Sequence, residues 1–293
     1  MTWESSFESW ANPPGETERE KMENAERAIK TAIGDSTLLD GRNVTVFPQG
    51  SYRNRTSVRQ DSDVDICVLC ADTFYFGLPN GMKREQFGLN SPATYEDAAF
   101  RADLDTTLRS RFGAAAISLG NKAWDVHENT YRVDADVVAC FEYRDYSRDG
   151  TYRSGTAVLT RSGTYIMNFP NQSYECGKAK NDTTSRRFRA CVRILKRLSG
   201  VMIDQGVIFT HLPSFLIESL VWNVPDSYFG HDSYTDDVRA ILAHLCDDTR
   251  SDESCKDWCE VNGIKYLFHP SQQWTRNQVN SSLNAAWRFL GFQ

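Results

Sequence analysis

Apolar and polar positions in this chain recur with two periods, and the change from one to the other divides it. Between residues 17 and 33, Met22, Ala25, Ala28, Ile29 and Ile33 are spaced as on one side of a helix, with charged residues between them. Residues 43–47 predict a short strand that delivers a Gly50-Ser51 turn. Residues 63–70 predict the next strand, with Val64, Ile66 and Val68 on one face. Residues 72–93, with their Gly, Pro and Asn, predict a loop. Residues 95–112 predict a helix with Glu96 and Asp97 early and Arg109 and Arg111 late, as the helix dipole favours. Strands are predicted at 122–126 and 131–141, and alternation fades through 144–155. Short strands follow at 157–160 and 164–167. After about residue 180 the pattern is mainly helical, with helices predicted at 182–199, 210–223, 234–246, 252–261 and 276–289. A mixed α/β first part followed by a helical second part predicts two lobes, with no internal repeat or low-complexity segment.

The polar faces of two predicted strands carry the candidate chemistry. Around the first strand the chain reads Phe47-Pro-Gln-Gly-Ser-Tyr-Arg-Asn-Arg-Thr-Ser-Val-Arg-Gln-Asp-Ser-Asp-Val-Asp-Ile-Cys-Val-Leu. A strand repeats every two residues, so Asp63 and Asp65 share one face and Val64, Ile66 and Val68 the other. Asp61 with Asp63 also fits this spacing, but the apolar run from Ile66 to Leu69 continues directly from Asp65. In the second strand, Arg132-Val-Asp-Ala-Asp-Val-Val, Asp134 and Asp136 share a face opposite Val133, Ala135 and Val137. Two neighbouring strands of this kind can gather three or four carboxylates. Three carboxylates suit two-metal catalysis, with ions roughly 3.5–4 Å apart at the attacking and leaving oxygens. Mg²⁺ prefers oxygen ligands and is usually held by one or two carboxylates plus substrate phosphates.

Composition narrows the function classes. The chain has 293 residues, enough for one large or two modest domains, and a net charge of −6. That charge argues against a nucleic-acid binder that is basic over its whole surface, while leaving room for a local basic cleft. Eight scattered cysteines fit a reduced, cytoplasmic chain. No stretch is apolar and long enough to span a bilayer, and the N-terminal residues lack the basic and apolar regions of a secretion signal. His244, Cys246, Cys255 and Cys259 raise the question of zinc, but His-x-Cys…Cys-x-x-x-Cys is not a standard structural-zinc spacing.

Gly50-Ser51, Asp63-Val-Asp65 and the Asp in Ala-Asp136-Val-Val together resemble the polymerase-β-like nucleotidyltransferases. Further segments narrow the resemblance to the bacterial CD-NTases (cGAS/DncV-like), the cyclic-oligonucleotide synthases of antiphage (CBASS) operons. These segments are residues 132–143, Ile166-Met-Asn-Phe-Pro, Ala179-Lys-Asn-Asp, residues 186–198 and Pro213-Ser-Phe-Leu-Ile-Glu. Ala139-Cys140 stands where such proteins often have Pro after the Val-Val pair, past the acids.

The resemblance implies an α+β, bilobal fold: a mixed-sheet catalytic lobe over residues 1–175, with a bracing N-terminal helix, and a helical lobe over 176–293 that closes the nucleotide cleft. It implies a Mg²⁺-dependent enzyme, with Mn²⁺ as a substitute, that joins nucleoside triphosphates into a cyclic di- or trinucleotide and releases pyrophosphate. The diffusible product would signal to a separate effector in the cytoplasm, without a membrane or a stable long nucleic acid as partner. Transfer to another acceptor (an RNA end, a protein or a small molecule) and a catalytically silent nucleotide-binding protein are the alternatives.

The resemblance also assigns residues. Asp63, Asp65 and Asp136 would be the catalytic and metal-binding acids, with Asp134 as the rival of Asp136. Ser51 would donate to a phosphate oxygen, and Gly50 would allow close backbone approach. The segment 178–197 is rich in Lys and Arg, and Arg186, Arg189, Arg193, Lys196 and Arg197 fall along one helix side, most of them on a solvated face. From it Lys196, with Ser214 on the next helix, would reach the triphosphate. Asn168 would read the acceptor base, since an amide both donates and accepts. Tyr143, Tyr165 and Trp222 offer stacking faces but are more often core.

Overall fold

The computed structural model describes residues 3–59, 63–208 and 211–293, and the chain divides into two compact units. One comprises Glu16–Tyr52 and Ser62–Pro170, and the other Met1–Gly15, Arg53–Asp61 and Asn171–Gln293. A single boundary near residue 175 therefore leaves out two segments of the second unit, its N-terminal piece and the short stretch after Tyr52.

The first unit is built on a seven-stranded sheet. Strand β1 (Val44–Pro48) pairs antiparallel with β2 (Val64–Gly77), which runs parallel to β5 (Ala135–Tyr146). Beyond β5 lie β4 (Ala123–Val126) and β3 (Ile117–Leu119), both antiparallel to their neighbours. The far half of β5 pairs with β6 (Tyr152–Leu159), which pairs with β7 (Tyr165–Asn168). Helices α2 (Glu16–Gly34) and α4 (Asp97–Phe112) supply Met22, Ile29, Phe100, Leu104 and Leu108 to a core shared with Val64, Ile66, Val68, Val137 and Phe141. The opposite face of the sheet carries a smaller cluster, Cys67, Val138, Cys140 and Val158. Alternation therefore works as read: one face of β2 and β5 is closed by helices, and the acids are on the other.

The second unit is helical. It contains α1 (Trp3–Trp10), α5 (Pro170–Thr183), α6 (Arg187–Asp204), α7 (Ser214–Asn223), α8 (Tyr234–Asp248), the short α9 (Asp252–Cys255) and α10 (Arg276–Phe289). Phe188, Ile194 and Leu198 of α6 are buried in one core with Leu216, Val221, Ile241, Leu245 and Val279. The one-turn helix α3 (Gly50–Asn54) begins in the first unit and ends in the second.

Several expectations need correction. The loop predicted over 72–93 is strand as far as Gly77, with a 3-10 turn at Arg84–Phe87. A register shift between Cys70 and Phe74 breaks the period there and hides the strand's continuation. Residues 144–155, where alternation fades, form a β5–β6 hairpin that pairs Tyr146 with Tyr152 on one face and Asp145 with Arg153 on the other, so neither face carries an aliphatic run. The helix placed at 182–199 is two helices, α5 and α6, separated where Ser185 and Arg186 adopt φ +50° and +69°. Helix α7 begins at Ser214, and residue 210 of the predicted span lies outside the described residues. The span 252–261 keeps only one helical turn. Helix α1, anchored by Phe7, was not anticipated.

Candidate active site

The register between β2 and β5 places Asp65 directly opposite Asp136. Directly paired residues of adjacent strands project to the same face. Asp136 is also paired with Asp125 on its other side, in β4. Three carboxylates thus form a row across β2, β5 and β4, on the face away from α2 and α4. Asp63 lies immediately before β2, exposed, and Asp134 immediately before β5, with the backbone N–H of Val64 donating to the Asp134 carbonyl at 3.1 Å.

Burial first, then Asp63, Asp125 and Asp134, push the Asp136 carboxyl up to about 6. A group so surrounded favours either a proton or a cation. Asp125 accepts from Ser118 Oγ at 3.3 Å and lies 3.3 Å from His127 Nδ1, while its buried Oδ1 has no partner. Ligand atoms of Asp125, His127 and Asp134 lie within 4.8 Å of one another. An orphaned carboxylate oxygen beside a carboxyl with a raised pKa is a donor set that fits a hard divalent cation. Asp134 also accepts from the Glu128 backbone N–H at 2.5 Å.

Gly50 closes one side of this site. Its φ is +62°, and a Cβ built there would lie 2.0 Å from Asp65 Oδ2. The turn therefore lies directly against the acid, at a spacing only glycine permits. Ser51 follows it in α3 and is half-buried.

The remaining predicted residues fall elsewhere. Asn168 ends β7, half-buried, directly opposite Thr156 of β6. Ser214 is the exposed first residue of α7. Lys196 does not lie on a solvated basic face. Its ammonium is buried, donates to the Thr56 carbonyl and hydroxyl at 3.2 Å each, and stands 3.7 Å from Glu218 Oε2. Arg193 is likewise buried, donating to the carbonyls of Ala11 and Arg55. These cations turn inward because Ala11 and the segment around Arg55 and Thr56 present carbonyls to α6.

Sequence reasoning missed Asp125 and His127. The signal was present, since residues 122–126 read as a strand in which Trp124 and Val126 alternate with Asp125. What was missing was the pairing that brings this strand beside Asp136.

Three comparisons bear on this arrangement. Residues 175–291 match the family model of the cGAS/DncV-like nucleotidyltransferase C-terminal helical domain. The chain is 43% identical to a cyclic dipyrimidine nucleotide synthase, CdnE, of Legionella pneumophila, over 99% of this chain and 98% of that one. It is 38% identical to a cyclic dipyrimidine nucleotide synthase, CdnE, of Cecembia lonarensis, over 99% and 98%. A solved structure of the Elizabethkingia meningoseptica CdnE cyclic dinucleotide synthase with GTP and Apcpp superposes with TM-score 0.83 at 31% identity, covering 99% of each chain.

Proposed function

The chain belongs to the cGAS/DncV-like nucleotidyltransferases, the bacterial CD-NTases, and from that membership we infer that it condenses two nucleoside triphosphates into a cyclic dinucleotide, with pyrimidines as the favoured bases. It is a nucleotidyltransferase. In each of two rounds, a sugar hydroxyl oxygen bonds to an α-phosphorus and loses its proton. The bond from that phosphorus to the α–β bridging oxygen breaks, and pyrophosphate leaves. The relatives at 43% and 38% identity are dipyrimidine synthases, whereas one at 34% is a dipurine synthase, and the higher identities are the ground for preferring pyrimidines.

Family members use divalent metal. In this reading Asp63, Asp65 and Asp136 hold Mg²⁺, with Mn²⁺ as a substitute, and the bound metal supplies charge neutralisation at the attacking and leaving oxygens. Asp136, crowded by like charges, helps activate the sugar hydroxyl. Gly50 lets the backbone approach the triphosphate, and Ser51 donates its hydroxyl to a phosphate oxygen. Lys196 and Ser214 reach the triphosphate tail, and Asn168 meets the acceptor base. Positioning and charge stabilisation account for most of the acceleration, because phosphoryl and nucleotidyl transfer ask little covalent chemistry of the protein.

No helix among the described residues is long and apolar enough to cross a membrane. The reading places the enzyme in the cytoplasm, with a diffusible product that switches a separate effector in antiphage defence.

The pairing of Asp65 with Asp136, beside a glycine that leaves no room for a side chain, is the observation that carries this reading. Its test is incubation with labelled triphosphates, singly and in pairs, with Mg²⁺ or Mn²⁺. Phosphatase-resistant cyclic dipyrimidine in the mass spectrum is the expected result. A linear, acceptor-linked product would replace cyclisation by transfer to another acceptor, and nucleotide binding without turnover would make the protein a silent binder.

A further inference from the structure

Thr156 is 3% exposed, and its hydroxyl oxygen is buried without a hydrogen-bond partner. A buried hydroxyl without a partner is costly and uncommon. This one lies directly across the β6–β7 ladder from Asn168, in register. Paired residues on antiparallel strands bring their Cβ atoms to roughly 4.5–5.5 Å on the same face, within hydrogen-bonding reach of two short polar side chains. On β6 that face also carries Val158, two residues on, which packs with Cys67, Val138 and Cys140 on the acid side of the sheet.

The neighbouring residue acts on the same point. Gly155 is buried, and a Cβ built there would lie 2.5 Å from the Asn168 carbonyl oxygen and 2.9 and 3.0 Å from two carbons of the Phe169 ring. Phe169 is itself 5% exposed and meets Tyr143 edge-on at 6.0 Å. The backbone of Asn168 is therefore pressed onto Gly155 and held from behind by a buried ring. The backbone is fixed; only the amide is left to choose between its oxygen and its nitrogen end.

We propose that Thr156 is the positioning residue for the Asn168 amide, and through it a determinant of base choice, with Gly155 supplying the close approach that makes this possible. It rests on the reading of Asn168 as a contact to the acceptor base. Once a nucleotide engages Asn168, the Thr156 hydroxyl, unpaired without it, donates to Asn168 Oδ1. The two Nδ2 hydrogens then face the nucleotide, where they donate to an acceptor on the base edge, such as a pyrimidine carbonyl. Without that hydroxyl the amide can turn over and present its oxygen, which selects bases with a donor at the same position.

The test is the ratio of bases incorporated from an equimolar mixture of the four triphosphates with Mg²⁺, read by mass spectrometry, for Thr156→Val, Thr156→Ser, Gly155→Ala and Asn168→Ala. Equilibrium binding of each triphosphate reads the same preference without turnover. Thr156→Val removes an unpaired buried hydroxyl at nearly constant shape, so its melting temperature is equal to or above that of the parent. Its base ratio nonetheless shifts about two- to tenfold, the worth of one hydrogen bond. Thr156→Ser keeps the parent ratio, and Gly155→Ala shifts it in the same direction as Thr156→Val. A purely structural role would lower all products together and leave the ratio alone. An unchanged ratio in Thr156→Val, with a changed one in Asn168→Ala, overturns the positioning role and leaves Asn168 as the base contact. An unchanged ratio in Asn168→Ala overturns both.

Discussion

Asp65 and Asp136 face each other across neighbouring parallel strands, and Asp125 stands on the far side of Asp136. Neighbouring strands are roughly 4.8 Å apart, so three carboxylates in such a row repel unless protons or cations intervene. Asp65→Asn and Asp136→Asn each lower the rate of pyrophosphate release at least about a hundredfold, since metal-borne charge stabilisation contributes several kcal/mol and 1.36 kcal/mol is tenfold. Circular dichroism stays unchanged. Asp125→Asn, one strand further out, costs about tenfold. Retention of more than a tenth of the activity by Asp65→Asn would remove Asp65 from the chemistry.

Gly50 is the steric counterpart of that row. At φ +62°, with the position of its missing Cβ 2.0 Å from Asp65 Oδ2, alanine meets two penalties at once. The left-handed backbone costs about 1 kcal/mol, and Asp65 must also move. Gly50→Ala therefore loses more than tenfold in turnover. It melts lower by about 2–4 °C per kcal/mol lost, as for a chain segment of 150–250 residues. A variant that melts lower but turns over normally would separate the turn from catalysis.

The parts legible in sequence are those governed by local period. Val64, Ile66 and Val68 alternate with Asp63 and Asp65, and the strand and its two faces follow directly. Asp134 and Asp136 repeat the pattern. The remainder depends on pairing between distant strands. Asp125 reads as an ordinary polar strand residue until β4 is placed beside β5. Lys196 reads as part of a basic helix face, yet α6 is enclosed along most of its middle, so its cations meet carbonyls and a carboxylate instead of water. The continuation of β2 past Cys70 is masked by a register shift, which breaks the two-residue rhythm on which strand reading rests.

Asp136 gives stability a pH dependence of definite sign. Its folded value of about 6 lies above the ordinary 3.8, so between these values the folded protein holds a proton that the unfolded chain releases. The group costs nothing below about pH 4, and stability falls as pH rises from 4 through 6. Discounted for the partial exposure of this side chain, the cost above pH 6 is on the order of 1–2 kcal/mol. In EDTA, Asp136→Asn becomes more stable than the parent as pH rises from 4 to 7, and the gap closes when millimolar Mg²⁺ is added. Parallel melting curves for parent and variant over this range would contradict the crowding at Asp136.

Within the helical unit, Glu218 joins Lys196 to the last residue of α3 and the segment that follows it. Its Oε1 accepts from Asn54 Nδ2 at 3.0 Å and its Oε2 from the Thr56 hydroxyl at 2.9 Å, with the Lys196 ammonium 3.7 Å away. The Lys196 and Glu218 side chains are only 5% and 3% exposed, so removing either charge takes this ion pair away from the other, buried one. Such a break costs about 3–5 kcal/mol, whereas replacing both partners costs much less. Lys196→Met and Glu218→Gln are therefore each strongly destabilised in urea, and the double variant recovers part of the loss as a coupling energy of about 0.5–3 kcal/mol. Kinetics then separate the two roles open to Lys196. If it also grips the triphosphate, Lys196→Met raises KM well beyond Glu218→Gln under conditions where both remain folded. Equal KM values in the two variants would confine Lys196 to holding Thr56 in place.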